Sequence, residues 1–102
     1  CPIEKGNPIL EFFSAVTRKS PENPNTESWQ AQEKVSRIEA LKMLTTWAAY
    51  GGFDEHRRGQ ILPGFDSDLT VLSQDITTCS ETDILKTEVL MTYVDGELVF
   101  KK

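Results

Sequence analysis

The chain has 102 residues, 38% hydrophobic and 26% charged, an ordinary globular balance for one small domain. It carries a formal net charge of −5. Residues 1–50 balance six basic against six acidic side chains, whereas residues 51–102 hold five against ten. This acidic surplus has no basic stripe to offset it and disfavours a nucleic-acid partner. No apolar run approaches the ~20 residues of a membrane helix, and the polar, proline-rich start does not read as a signal peptide. Two cysteines, Cys1 and Cys79, are too few for a disulfide framework, so a reduced, cytoplasmic chain is expected. The chain has no initiator Met, and Cys1-Pro2 reads as the middle of a longer chain, processed or excised.

In chain order, the first expected element is a helix over Pro8–Val16. Asn7 can cap it, and Pro8 suits its first position, where no N–H partner is lost. Ile9, Phe12, Phe13 and Val16 share one face, and Arg18 and Lys19 are expected in its last turn. Residues 20–25, with two prolines and two asparagines, read as a loop. The stretch around Trp29 suggests no more than a helical turn.

A second helix is expected over Arg37–Tyr50. Ser36 and Glu39 have the spacing of a capping box. Ile38, Leu41, Leu44 and Ala48 form a stripe that Met43 and Trp47 widen, which predicts packing on two sides. Gly51-Gly52 should end the helix in the left-handed conformation.

Beyond Gly52 the period changes. Gly59-Gln60-Ile61-Leu62 reads as a short extended piece. Leu62-Pro63-Gly64-Phe65 fits a type II turn, with Pro63 fixing φ and Gly64 supplying the positive one. A strand over Asp68–Leu72 follows, then a helical turn near Thr82–Lys86. Two strands, Glu88–Val94 and Glu97–Phe100, are joined by Asp95-Gly96, a two-residue hairpin signal. Helices followed by an antiparallel unit make an α+β pattern.

Three stretches in this order resemble the C-terminal end of the amidohydrolase superfamily, in particular its amidohydrolase family 3 branch. Glu39 to Ala49 is similar to that family's last long helix. Gly59 to Leu72 is similar to its glycine, Ile, Pro-Gly turn, Ala-Asp-Leu and apolar strand. Val89 to Phe100 is similar to its closing hairpin. Cys1-Pro2-Ile3-Glu4, Asn7-Pro8-Ile9-Leu10 and Ala15-Val16-Thr17-Arg18 resemble the segment after the eighth barrel strand. Ser67 stands where the family usually has Ala, and Trp47 where it often has a polar residue.

The resemblance implies an origin in a (β/α)8 barrel enzyme with a composite β-sandwich domain. Residues 1–58 would follow the last barrel strand, and residues 59–102 would supply strands of the β domain. The structural motif carried over is Gly59, Pro63, Gly64, Asp68, Leu69, Asp95 and Gly96. The parent would be a metal-dependent hydrolase of non-peptide C–N bonds, in which a divalent metal, zinc first, activates water. The resemblance also places the family's last catalytic Asp just before Cys1, so no catalytic residue, metal ligand or cofactor site is expected within these 102 residues. The expected partner is the rest of the parent chain, with self-association through unpaired strands, and neither nucleic acid nor membrane.

The rival chemical readings are local. His56, the sole histidine, stands beside Asp54 and Glu55 but cannot by itself complete the three ligands of a catalytic zinc. Cys1 could be an N-terminal nucleophile with its own amine as base. Cys79 reads as an unreactive thiol. Asp66 and Asp68 could act as an acid–base pair, although Asp68 is expected to bond backbone N–H groups near the turn. Trp29, Trp47, Phe12 and Phe13 read as core or domain-interface residues. The competing function is a stand-alone α+β interaction module without catalytic activity, folding by itself as a monomer without metal.

Overall fold

The computed structural model of the chain describes residues 6–102. The reading of Cys1 as a nucleophile and the Cys1–Glu4 part of the resemblance fall outside those residues. The described chain is α+β, with three helices followed by a three-stranded antiparallel sheet whose first two strands are separated by a short fourth helix.

Helix α1 spans Pro8–Thr17. The Asn7 side chain accepts from the Ile9 N–H at 3.0 Å, and Pro8 sits at the start as expected. Phe12 and Phe13 are buried, with Ile9 and Val16 packed beside them. Arg18 is not in the last turn. It follows the helix with φ 56°, and its N–H closes on the Ser14 carbonyl at 2.8 Å, so a left-handed residue ends the helix. The 18–30 loop then folds back on Arg18. The Trp29 N–H bonds the Arg18 carbonyl at 2.9 Å, and the Arg18 guanidinium lies 4.9 Å from the Trp29 ring centre. A single 3-10 turn, Ala31–Glu33, leads on to the second helix.

The expected helix over Arg37–Tyr50 is two helices, α2 (Arg37–Leu44) and α3 (Thr46–Gly51). The capping box forms as read. The Glu39 N–H bonds Ser36 Oγ at 3.1 Å, and the Ser36 N–H bonds Glu39 Oε1 at 3.2 Å. The break falls at Thr45, with φ −126° and ψ −93°. Its Oγ1 donates to the Leu41 carbonyl at 2.8 Å, and its N–H closes a tighter turn on Lys42 at 3.1 Å. Such back-bonding by a mid-helix Thr bends the axis, and a second β-branched residue, Thr46, adds crowding. Periodicity records only the apolar stripe, which both halves continue. The expected left-handed glycine after the helix is also corrected: Gly52 has φ −90°, and Phe53 takes the positive φ of 61°.

The core lies between α1, α2 and the segment that carries α4 (Glu81–Ile84). Phe12, Phe13, Ala40, Ile76 and Ile84 are its buried members. Burying the four large side chains among them contributes on the order of 1.5–3 kcal/mol each. Arg37 pins the loop before α4 by donating from Nη1 to the carbonyls of Ile76 and Cys79. Packing on two sides of the second helix is not what the described residues show: α2 buries only Ala40, and α3 buries nothing.

Strands β1 (Leu69–Leu72), β2 (Val89–Val94) and β3 (Glu97–Lys101) form the sheet in the order β1-β2-β3. Leu69 pairs with Tyr93 and Val71 with Met91; Thr92 pairs with Phe100 and Val94 with Glu97. Each ladder contains one bulge or irregularity. The hairpin turn has φ 51° at Asp95 and 79° at Gly96, the two positive values of a type I′ turn. Every residue of β3 is exposed, so the sheet is an extension from the core and not its wall.

Candidate functional site

The chemically richest part of the described chain is the junction between the helices and the sheet, residues 54–68, where it meets the hairpin turn. Gly59 is the hinge of this junction. With φ 95°, it lies so close to the break between α2 and α3 that a Cβ would sit 3.1 Å from the Ala49 Cβ, the Thr45 carbonyl oxygen and the Thr46 Cα. Only glycine accepts both that φ and that approach. The piece from Gly59 to Leu62, expected as extended, contains no strand. Gly64 has φ 87°, and the Phe65 N–H closes on the Leu62 carbonyl at 3.1 Å, completing the turn expected around Pro63.

The turn folds Asp66 back on two arginines. Asp66 Oδ2 accepts from Arg57 Nη2 at 2.9 Å, Arg57 Nε at 3.1 Å and Arg58 Nε at 3.1 Å. The Asp66 N–H also bonds the Arg57 carbonyl at 2.7 Å. Hydrogen bonds from Arg57 first, then Arg58, hold the Asp66 carboxyl below the usual aspartate range. Arg58 further lies 3.7 Å from both Asp54 and Asp68 carboxylates. Asp68 Oδ1 accepts the Asp95 N–H at 2.9 Å, and the Gly96 N–H bonds the Ser67 carbonyl at 3.0 Å. The two bonds attach the hairpin turn to the start of β1, where Leu69 begins the ladder with Tyr93.

This arrangement fixes backbone and leaves little for proton transfer. Two guanidinium groups favour the carboxylate form of Asp66, which makes it a poor proton donor for an acid–base pair with Asp68. Asp68 is occupied in holding the turn. No group of three or more His, Cys, Asp or Glu is placed to hold a metal ion among the described residues. His56 has Asp54 and Glu55 as chain neighbours, but Asp54 is turned to Arg58. The described residues therefore do not fit a metal centre. Cys79 is half-buried against the core, its Sγ 3.9 Å from Arg37 Nη1.

Of the residues Gly59, Pro63, Gly64, Asp68, Leu69, Asp95 and Gly96, the structure joins Asp68 to Asp95 by a hydrogen bond, whereas Gly59 lies against the break between α2 and α3 and Gly64 meets no neighbour. The structure adds Arg57 and Arg58, to which the sequence assigned no role, and Asp54, expected only as a neighbour of His56. Their signal was an arginine pair and an acidic residue on opposite sides of a Pro-Gly turn. Of the aromatic residues assigned to core or interface, Phe12 and Phe13 are core, whereas Trp29 and Trp47 are exposed on this chain.

The model of the amidohydrolase family, Amidohydro_3, matches residues 1–100. YtcJ of Bacillus subtilis (strain 168), whose name assigns it provisionally to the amidohydrolases, is 36% identical over 101 residues, 99% of this chain and 19% of that protein. The protein LONG AFTER FAR-RED 3 of Arabidopsis thaliana is 30% identical over 99 residues, 97% of this chain and 16% of its own length. N-substituted formamide deformylase of Arthrobacter pascens is 30% identical over 96 residues, 94% of this chain and 17% of that enzyme. The chain thus spans about a fifth or less of the length of these relatives. No solved structure matches it significantly.

Proposed function

The chain belongs to the amidohydrolase family, and we propose that it is the C-terminal structural part of a metal-dependent hydrolase acting on non-peptide C–N bonds. In this reading the helices follow the last barrel strand and the β1–β3 unit joins a composite β domain. The carrying observation is the family match over residues 1–100 together with the small share of each relative that the chain covers. The name of the Arthrobacter relative, a deformylase of N-substituted formamides, favours small amide-like substrates. The described residues do not fit a metal centre, so the metal, with zinc the first choice, belongs to residues of the parent outside this stretch. The part played by residues 6–102 is to hold shape: Gly59 seats the junction on the helices, and Asp68 locks the hairpin.

The parent, purified with its metal, should hydrolyse an N-substituted formamide or a small cyclic amide, while residues 1–102 alone should not. Hydrolysis by the isolated chain would overturn the reading. So would a parent that hydrolyses none of these substrates, which would favour the non-catalytic module.

A further inference from the structure

Asp95-Gly96 is the only place in the sequence where an Asp or Asn precedes Gly. A glycine nitrogen is the least hindered backbone nucleophile toward the carboxyl before it, because glycine has no side chain to block the approach. Asp95 is exposed, and unlike Asp54, Asp66 and Asp68 it takes no part in the ion pairs of the junction. We propose that Asp95-Gly96 is a site of spontaneous aspartyl-to-isoaspartyl isomerisation, held back by the two hydrogen bonds that attach the hairpin turn to Ser67 and Asp68. The inference concerns backbone chemistry and is independent of the reaction that the parent catalyses.

The conversion needs only water. The Gly96 nitrogen adds to Cγ of the protonated Asp95 carboxyl and a C–N bond forms. The proton of the nitrogen and the carboxyl hydroxyl leave together as water, and a succinimide ring remains. A water molecule then opens the ring. Cleavage between the nitrogen and Cγ restores aspartate. Cleavage between the nitrogen and the main-chain carbonyl carbon leaves the chain running through Cγ. One water leaves and one returns, and nothing is oxidised or reduced. The isoaspartyl product has an extra methylene in its main chain and no longer fits a two-residue type I′ turn.

The folded geometry opposes the first step. The nitrogen that must attack donates its proton to the Ser67 carbonyl at 3.0 Å. It has to lose that proton and turn toward Cγ, so the bond must open first. Asp68 Oδ1 holds the N–H of Asp95 itself at 2.9 Å, and the ladder pair Val94 and Glu97 closes the turn from the strand side. Isomerisation therefore requires a local opening of the turn, which can occur without unfolding the helices. Asp66-Ser67, the other Asp followed by a small residue, is deterred differently. Its carboxyl accepts three bonds from Arg57 and Arg58, which favour the carboxylate, the unreactive form.

The test uses the full-length parent, aged at neutral pH and physiological temperature in heavy-oxygen water and then digested with trypsin. Lys86 and Lys101 place the pair in a single peptide, Thr87 to Lys101. The isoaspartyl form of that peptide separates on chromatography and carries the heavy oxygen. The same peptide, aged free in solution, gives the unrestrained rate. The folded parent should isomerise at least about tenfold more slowly than the free peptide. Asp68→Ala should raise the folded rate at least about threefold, and Asp68→Asn, still an acceptor, should recover part of the difference. Gly64→Ala alters the same junction but leaves both bonds in place, and should not raise the rate. A free peptide that forms no isoaspartate would overturn the proposal, as would a folded rate equal to that of the peptide. An unchanged rate in Asp68→Ala would overturn it too, and so would an equal rise in Gly64→Ala, which would make global unfolding the route. Where Asp68→Ala does not fold, hydrogen exchange of the Gly96 amide in the unaltered parent decides. Slowing that matches the protection of this amide within about threefold supports the restraint, and an unprotected amide overturns it.

Discussion

The carboxylate of Asp68 accepts a hydrogen bond from the backbone N–H of Asp95 at 2.9 Å, joining positions 27 residues apart. One side chain thereby ties the exit of the Pro-Gly turn to the tip of the closing hairpin. The Gly96 N–H to Ser67 carbonyl bond beside it makes the attachment two-pronged. Asp68→Ala removes the charged acceptor and should cost about 1–2 kcal/mol, with Asp68→Asn recovering part of the loss. Urea unfolding of the three proteins checks it. An unchanged midpoint for Asp68→Ala would mean the bond contributes nothing net.

Gly59 and Gly64 separate two effects of a positive φ. A Cβ at Gly59 meets backbone and Ala49 at 3.1 Å, while one at Gly64 meets nothing within 4 Å. Gly64→Ala should cost about 1 kcal/mol, the left-handed penalty alone. Gly59→Ala adds displacement of the helix break and should cost clearly more, on the order of 2–4 kcal/mol. Equal losses in thermal unfolding would show that the close approach is without consequence.

Acid should weaken the junction. Asp66 is held below the ordinary aspartate value of 3.8 by Arg57 and Arg58, and Asp75 is lowered by bonds from the Thr77 hydroxyl and N–H. A carboxyl whose folded pKa is depressed contributes stability above its unfolded pKa and loses it as pH falls through the folded one. Stability should therefore be level near neutrality and decline once pH drops below about 4. Asp66→Asn should flatten part of that decline in a pH series of urea midpoints. An unaltered acid limb would remove Asp66 from the account.

The sheet's outer strands predict behaviour of the separated chain. β1 and β3 each have one partner among the described residues, and β3 is exposed along its length, with Leu98, Val99 and Phe100 among its residues. Unpaired edges recruit further strands. The isolated chain should associate as concentration rises in sedimentation runs, and Val99→Lys should reduce that association. A monomer at every concentration would contradict it.

Legibility followed the range of the interaction. The Asn7 and Ser36 caps, the Pro63-Gly64 turn and the Asp95-Gly96 hairpin are each settled within four residues, and all stood plainly in the sequence. The break at Thr45 did not, because it combines a threonine back-bond with the approach of Gly59 from 14 positions away. Phe53 took the left-handed position expected of a glycine because Gly51 continued the helix and Gly52 kept a negative φ. Arg37 shows the same limit: its carbonyl partners at Ile76 and Cys79 lie 39 and 42 residues on. For Asp68, the residue type and a bond to backbone were legible, but its partner across the hairpin was not.

We propose that residues 6–102 shape a hydrolase without performing its chemistry. The most direct measurement is amide hydrolysis by the metal-loaded parent carrying His56→Ala, Cys79→Ser and Asp66→Asn, singly and then together, compared with the unaltered parent. Turnover should stay within about threefold of the unaltered enzyme wherever the variant stays folded. A loss of about a hundredfold or more in a folded variant would place catalysis within this stretch and contradict the account.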